Sequence, residues 1–340
     1  MATGVARLGL CGYGRAGLFH FTSIRGNPRV TLSHVIEDES RLEMVRERLS
    51  KHNLDHVTVS CPKDFKEKVL SDPQLDALVI AAPTHTHEWY VLESLRAGKH
   101  VFCEKPVADS LEVIQSCYKQ ASRSNLLLFC GFNRRFDSGF YNAWRRLREG
   151  EIGRVYTIKT TSRDHPNPPI EYLLSSKGIS HDSAIHDIDI ICWMMGEEPV
   201  EVYAQGQAHN PRLEGIDVDV ISIMLKFPSG AIGNIEVSRY SEAGYDQRLE
   251  IHGEKGDLFV TNPPRKPVTV AAQNGVTSSQ YFHSFDSRYK DAYSSEMDHF
   301  IDCVLDPNSQ LLVTGEEVVR ACRVADAVAR SLQSKKPEKL

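Results

Sequence analysis

The sequence predicts a two-domain protein. A doubly wound parallel α/β domain spans 1–131, and an α+β domain with a large open, mainly antiparallel sheet spans 132–340. Three observations predict it. Up to Phe132, short and nearly continuous apolar runs alternate with amphipathic segments, the pattern of a parallel sheet covered on both faces. A glycine triplet, Gly12-Tyr13-Gly14-Arg15-Ala16-Gly17, sits where the first apolar run meets the first amphipathic segment. From Pro199 onward, alternating runs follow one another without helical segments between them. A chain of 340 residues is long enough for both domains.

The elements follow in order. "VARLGLC" reads as a strand and "GRAGLFHFTSIRG" as a turn opening into a helix. "VTLSHVIE" is a second strand, and "SRLEMVRERLSKH" has helical spacing. "LDALVIAAP" is a third strand, followed by a helix from about Thr86 to Ala97. "HVFCE" is the fourth strand, "SLEVIQSCYKQASRS" a helix, and "LLLFCGF" the fifth strand. Beyond Phe132, "FYNAWRRLREG" is helical, and "RVYTIKTTSR" alternates as a strand does. Then come "VEVYAQGQA", "VDVISIMLKF", "AIGNIEVSRY", "QRLEIHG" and "GDLFVT", with hairpin turns at Phe227–Gly230 and Gly253–Gly256. Helices from about Tyr289 to Val304 and Gly315 to Gln333 close the chain.

Composition narrows the partners. A net charge of −5 argues against nucleic acid or an anionic membrane as the main partner. No apolar run approaches the ~20 residues that span a bilayer. The N-terminus has no signal-peptide form. Eight cysteines occur, none in a C-x-x-C pair and most in apolar runs, which is cytoplasmic usage rather than a disulfide framework.

The glycine triplet matches G-x-G-x-x-G after a strand and before a helix, the context that gives the pattern meaning. Gly12 allows a tight turn, Gly14 lets backbone approach a pyrophosphate, and Gly17 lets helix and strand pack closely. Arg15 and Ala16 open the helix, whose N-terminal amides face the phosphates. A glycine-rich turn without ligand is the bland alternative. Glu37 and Asp38 end the second strand, about twenty residues past Gly17, where a carboxylate accepts from the adenosine ribose and repels a 2′-phosphate. Asp38 is the better placed of the two, so NAD is favoured over NADP, with Arg41 the nearby cation that speaks for NADP. Thr84-His85-Thr86-His87 follows the third strand and faces the cofactor, with Thr84 or Thr86 as helix cap and Thr84 and His87 as cofactor contacts; it is not read as a metal site.

Two stretches carry the chemistry. In "HVFCEKPVAD" a buried strand ends in Glu104-Lys105-Pro106. Pro106 restricts Lys105 to an extended conformation. Lys105 then points into the ligand-binding edge of the sheet, and Glu104 to the other side as a supporting group. The proline also permits a cis Lys105–Pro106 bond. In "SHDSAIHDIDIICWMMG", Asp182 and His186 are four apart and share a face on one helix, with Asp189 three further on. A carboxylate beside an imidazole makes a general base near neutral pH. A helix cap and a core histidine are the bland alternative. No third ligand at metal spacing accompanies the pair, so no metal is expected.

These residues resemble the glucose-fructose oxidoreductase/inositol dehydrogenase (Gfo/Idh/MocA) family. The motifs are G-Y-G-R-A-G, the strand-end Asp38, E-K-P at Glu104–Pro106, G-F-N-R-R-F-D at Gly131–Asp137 and H-D-I-D at His186–Asp189, and the resemblance runs nearly the whole chain. Thr161–Leu173 and Gly244–Gly256 look like segments of its inositol 2-dehydrogenase branch. The resemblance implies a Rossmann domain binding NAD through Gly12, Gly14, Arg15, Ala16, Gly17, Glu37, Asp38, Thr84, His87, Glu104 and Lys105. It implies His186 as acid/base, with Asp182 tuning it and Lys105 reaching substrate and nicotinamide ribose. It places Arg134, His165 and Tyr245 along the polyol pocket, and a homo-oligomer, dimer or tetramer, built through the C-terminal sheet. Lys105 and His186 would converge on one substrate oxygen. The implied reaction is NAD-dependent oxidation of a cyclic polyol, myo-inositol to 2-keto-myo-inositol (scyllo-inosose). Scyllo-inositol or an aldose as substrate, transient oxidation within a glycosidase cycle, and a silent NAD-binding sensor or scaffold stand as alternatives. One departure is Ser176-Lys177-Gly178-Ile179-Ser180-His181-Asp182 in place of a G-G-G-x-x-x-D pattern, which puts Lys177 and His181 in the pocket wall.

Overall fold

The structure, a computed structural model, describes residues 4–273 and 275–340. Two compact units divide the chain. One holds the chain up to Asn133 together with Asp291–Val319, and the other holds Arg134–Lys290 with Arg320–Leu340.

In the first unit, β1 (Ala6–Cys11), β2 (Val30–Ile36), β3 (Thr58–Ser60), β4 (Ala77–Ile80), β5 (His100–Glu104) and β6 (Leu128–Gly131) form one sheet. Their order is β3-β2-β1-β4-β5-β6, and every pair is parallel. This is the 3-2-1-4-5-6 order of the doubly wound dinucleotide fold, with its switch point between β1 and β4. Helices α1 (Arg15–Gly26), α2 (Leu42–Ser50), α3 (His87–Arg96) and α4 (Leu111–Arg123) connect the strands. Burial on both faces explains the continuous apolar runs: Ala77–Ile80 and Val101–Cys103 are fully buried. The sheet has one strand more than the five read from the sequence. β3 is three residues long and partly exposed, too short to register as alternation.

The order of elements along the chain suggests that 132–340 belong together, yet Asp291–Val319 packs with the first unit. Phe300 explains why. Its ring lies 5.6 Å from Phe102 and 6.0 Å from Phe129, two residues of the parallel sheet. The Asn27 amide donates to Asp298 at 2.7 Å on the same helix, Lys290–Leu305.

The second unit begins with α5 (Ser138–Arg148) and β7 (Val155–Arg163). Three short helices follow: α6 (Ile170–Ser175), α7 (Gly178–Asp182) and α8 (Ile185–Met195). Then come β8 (Glu201–Gln207), β9 (Val220–Lys226), β10 (Ile232–Ser238), β11 (Asp246–Gly253) and β12 (Gly256–Val260). A separate exposed hairpin, β13 (Thr269–Ala272) with β14 (Gly275–Ser278), and the short β15 (Glu338–Lys339) were not apparent in the sequence. The main sheet runs β12-β11-β7-β10-β9-β8-β15, antiparallel except for the β7–β10 pair. Along β9 the buried Ile221, Ile223 and Leu225 alternate with the exposed Ser222, Met224 and Lys226, so one face is core and the other open. α8 packs on the core face against β7 and β10 and buries Ile185, Ile188, Ile190 and Ile191, each contributing about 1.5–3 kcal/mol by its removal from water.

Candidate active site

The nucleotide half is built at the β1–α1 turn. Gly12 has φ +93°, and a β-carbon there would meet the Ala81 carbonyl at 2.5 Å. A β-carbon on Gly17 would sit 2.1 Å from the Gly12 carbonyl oxygen. Gly14 is different, because nothing lies within 4 Å of where its β-carbon would be. The outer glycines are therefore fixed by the protein, whereas Gly14 borders open space. That is the cradle a pyrophosphate fills at a helix N-terminus, and the turn fits NAD. Arg15, exposed, and Ala16 form the first turn of α1.

The two strand-end carboxylates divide their work. Glu37 turns inward. It accepts from the Tyr13 amide at 2.6 Å and the Asp38 amide at 2.9 Å, and pairs with Arg41 at 3.3 Å. It thus braces the glycine turn and neutralises the cation that speaks for a 2′-phosphate. Asp38 stays exposed, and hydrogen bonds from Ser40 hold its carboxyl below the usual range. Asp38 is thus the strand-end carboxylate left open to solvent.

After β4, the expected capping is absent. The Thr86 hydroxyl donates to the Pro83 carbonyl at 2.7 Å, and neither Thr84 nor Thr86 caps α3 through its side chain. His87 is buried, with Nδ1 2.7 Å from the Pro106 carbonyl and Nε2 2.9 Å from the Ala82 carbonyl. Both ring nitrogens are occupied, so His87 clips two ligand-edge loops together and has no nitrogen left for a cofactor.

At the end of β5, the Lys105–Pro106 bond is cis, and so is His165–Pro166 in the second unit. Glu104 accepts from His20 Nε2 at 2.7 Å. Burial pushes its carboxyl up, but the His20 hydrogen bond and the nearby charges of His20, Lys105 and His87 prevail and hold it low. His20, fully buried on α1, had no distinguishing signal in the sequence; it anchors the residue immediately before Lys105.

Arg134, His165 and Tyr245, expected along the polyol pocket, belong to the second unit. Arg134 is buried and donates to Asp187 and Ser162, each at 3.0 Å. Tyr245 is buried, and its phenol is pushed well above its ordinary pKa by burial, against the pull of Arg134. It stays protonated and can donate. His165 Nδ1 lies 2.9 Å from the Ser241 carbonyl oxygen, and the ring stacks on Tyr240 at 5.9 Å.

Asp182 and His186 do not share one helix. α7 ends at Asp182 and α8 begins at Ile185. The break comes from a wide turn in which the Ala184 amide reaches back to the Ile179 carbonyl at 2.8 Å. Asp182 accepts from the Tyr172 hydroxyl at 2.5 Å and from Arg239 at 2.8 Å. Arg239, 1% exposed, also binds Asp217 at 2.9 Å, and Asp217 in turn accepts from the Ile179 amide. Tyr172, Asp217 and Arg239 escaped sequence reading because their pairing spans up to 57 residues. His186, half-buried, opens α8.

Two further expectations change. His181, expected in the pocket wall, has its Nε2 paired with Asp326 at 2.8 Å. Asp189 is tied to Arg135 by two hydrogen bonds of 2.9 and 2.5 Å. Among the described residues no cluster of three or more His, Cys, Asp or Glu side chains could hold a metal ion, and no helix is long and apolar enough to cross a membrane.

Comparison with known proteins follows this division. Residues 6–132 match the family model for the oxidoreductase family NAD-binding Rossmann fold, and 145–340 match that for the oxidoreductase family C-terminal alpha/beta domain, both of the Gfo/Idh/MocA type. The chain is 35% identical to myo-inositol 2-dehydrogenase of Thermotoga maritima, covering 98% of each. It is 33% identical to inositol 2-dehydrogenase of Rhizobium meliloti, covering 97% of this chain and 98% of that one. It superposes with a TM-score of 0.88, at 25% identity and covering 98% and 99% of the chains, on the crystal structure of scyllo-inositol dehydrogenase from Lactobacillus casei with bound cofactor NAD(H) and scyllo-inositol.

Proposed function

The chain belongs to the Gfo/Idh/MocA oxidoreductase family, whose N-terminal unit is an NAD-binding Rossmann fold, and from that premise we propose that it oxidises myo-inositol at one ring carbinol to 2-keto-myo-inositol (scyllo-inosose). The observation that carries the substrate class is the group of buried donors and acceptors in the second unit. Arg134, Asp164, Asp182 and Tyr245 act on one another electrostatically there, a set suited to vicinal hydroxyls and costly to bury against an apolar ligand.

When bound, NAD supplies the hydride acceptor. The Gly12–Gly17 turn holds the pyrophosphate and Asp38 the adenosine ribose, while Glu37 fixes the turn and Arg41. His186 takes the hydroxyl proton on a ring nitrogen. Lys105 supplies a hydrogen-bond donor to the substrate from the first unit, and the Tyr245 phenol donates to a ring hydroxyl. Asp182, gripped by Tyr172 and Arg239, is the carboxylate that orients His186 in this reading. A silent NAD-binding scaffold would have no use for Lys105, Asp182 and His186 together.

The test is NADH formation by purified protein over a panel of inositols, aldoses and sugar acids, with NADP in parallel. Turnover should be fastest on myo-inositol with NAD. A preference for scyllo-inositol would move the substrate, and NAD binding without turnover of any polyol would sink the reading.

The open face of the second sheet is proposed as the surface of self-association. Met224, Ile232 and Phe259 are exposed on it, 42–62% each. Light scattering should give the mass of a dimer or tetramer, and Met224→Glu with Phe259→Glu should reduce it. A monomeric mass for the unaltered protein would refute this.

A further inference from the structure

We propose that Asp164 is a substrate-binding residue that accepts a hydrogen bond from a ring hydroxyl neighbouring the oxidised carbinol, and so selects among polyol isomers. The inference rests on the cyclitol reading above and goes beyond it by assigning an acceptor that reading does not contain.

Most of the carboxylates in this region are already satisfied. Four lie around Arg134 and Arg239: Asp164, Asp182, Asp187 and Asp217. Asp187 is held by Arg134 at 3.0 Å and Ser162 at 2.7 Å. Asp182 is held by Arg239 and Tyr172, and Asp217 by Arg239 and the Ile179 amide. Both guanidinium groups therefore have carboxylate partners. Among the described residues, the Asp164 carboxylate alone of the four accepts no hydrogen bond.

Strand geometry says which way it faces. Side chains alternate along a strand, so Asp164 shares a face with Ser162. Its amide donates to the Ser238 carbonyl at 2.9 Å and continues the β7–β10 ladder one residue past Arg163. Ser162 lies on the core face with Arg134, Asp187 and Gln247. Arg163, on the opposite face, pairs with Glu236. Asp164 is thereby placed at the end of β7, on the side that carries Arg134, Asp182 and Tyr245.

Asp164 is half-buried, and a partly desolvated carboxylate without donors carries a cost that a ligand bringing hydroxyl donors lowers. Burial pushes the Asp164 carboxyl up to about 6, helped by Asp182 and Asp187 and opposed by Arg134 and Arg239. Hydroxyls that donate to it favour the ionised form, so substrate should bind better as pH rises through that value.

The experiment compares unaltered protein with Asp164→Asn and Asp164→Ala on myo-inositol and its mono-deoxy analogues, with NAD titrated separately. In Asp164→Asn, KM should rise about tenfold or more, the loss of one charged hydrogen bond, with kcat changed far less and NAD binding retained. The rise of kcat/KM with pH near 6 should flatten. One deoxy analogue, lacking the partner hydroxyl, should cost the unaltered protein as much as the substitution does, and Asp164→Ala should lose nothing further on it. If Asp164→Ala is poorly folded, the isosteric Asp164→Asn decides through KM and pH profile. Unchanged kcat/KM on every polyol, or equal loss on every deoxy analogue, overturns the role of Asp164. Absence of turnover by the unaltered protein overturns instead the cyclitol reading on which it rests.

Discussion

His186→Ala should lower turnover of the cyclitol by about 10²–10⁴-fold, the usual contribution of a positioned general base, while NAD still binds. The separation is built into the fold. The glycine turn, Glu37 and Asp38 belong to the first unit, and His186 opens α8 in the second. Removing an imidazole from α8 leaves the hydrogen bonds that brace the turn intact. Lys105→Ala should cost about 10²–10³-fold, as does loss of a hydrogen-bond donor at a reacting oxygen. His20 and Glu104 still hold the end of β5 in that variant. Steady-state NADH absorbance gives the turnover, and quenching of protein fluorescence by NAD gives the binding. Undiminished turnover in either variant would remove that residue from the chemistry. Loss of NAD binding alongside turnover would assign it to the cofactor instead.

What the sequence made legible was local. The parallel strands announced themselves because burial on both faces demands continuous apolar runs. The glycine turn was readable because its three glycines lie within six consecutive residues. Asp38 followed from a fixed distance to that turn. Short elements were lost: β3 has three residues, β15 has two, and neither can show a period. Long-range electrostatics was lost as well. Spacing suggested that Asp182 and His186 share a helix face, but Asp182 ends α7, and its carboxylate is held by Arg239 and Tyr172. His87 looked like a ligand-edge histidine and is consumed by two carbonyls. Asp164 stood out least, one acid after a strand. Its significance comes from what its neighbours bind, which no spacing along the chain encodes.

Asp189→Ala should destabilise the protein by about 3–5 kcal/mol. Arg135 and Asp189 are both at most 1% exposed and are joined by two hydrogen bonds. Removing one partner leaves an uncompensated buried charge, the costly way to break such a pair. For a domain of this size that lowers the unfolding midpoint by roughly 6–20 °C. Removing both charges is different, since Arg135→Met with Asp189→Leu orphans neither and should recover most of the loss. Recovery will be incomplete, because the Arg135 guanidinium also lies 5.3 Å from the Trp193 ring, which stacks on Trp144 at 4.9 Å. Calorimetry on Arg135→Met, Asp189→Leu and the double variant measures the cycle, with Asp189→Ala alongside. A midpoint for Asp189→Ala within about 1 °C of the unaltered protein would contradict a buried pair. The outcome also separates members of one motif. In His186-Asp187-Ile188-Asp189, the histidine is the member proposed for the substrate, whereas Asp187 and Asp189 hold adjacent arginines, Arg134 and Arg135. α8 is pinned to the preceding segment by charge at two consecutive residues, which fixes the helix that carries His186. A helix otherwise held by isoleucines could slide by a fraction of a turn at little cost, and bidentate geometry at Arg135 forbids it. Asp189→Ala should therefore retain NADH formation at low temperature, with a reduced kcat that the double variant does not restore.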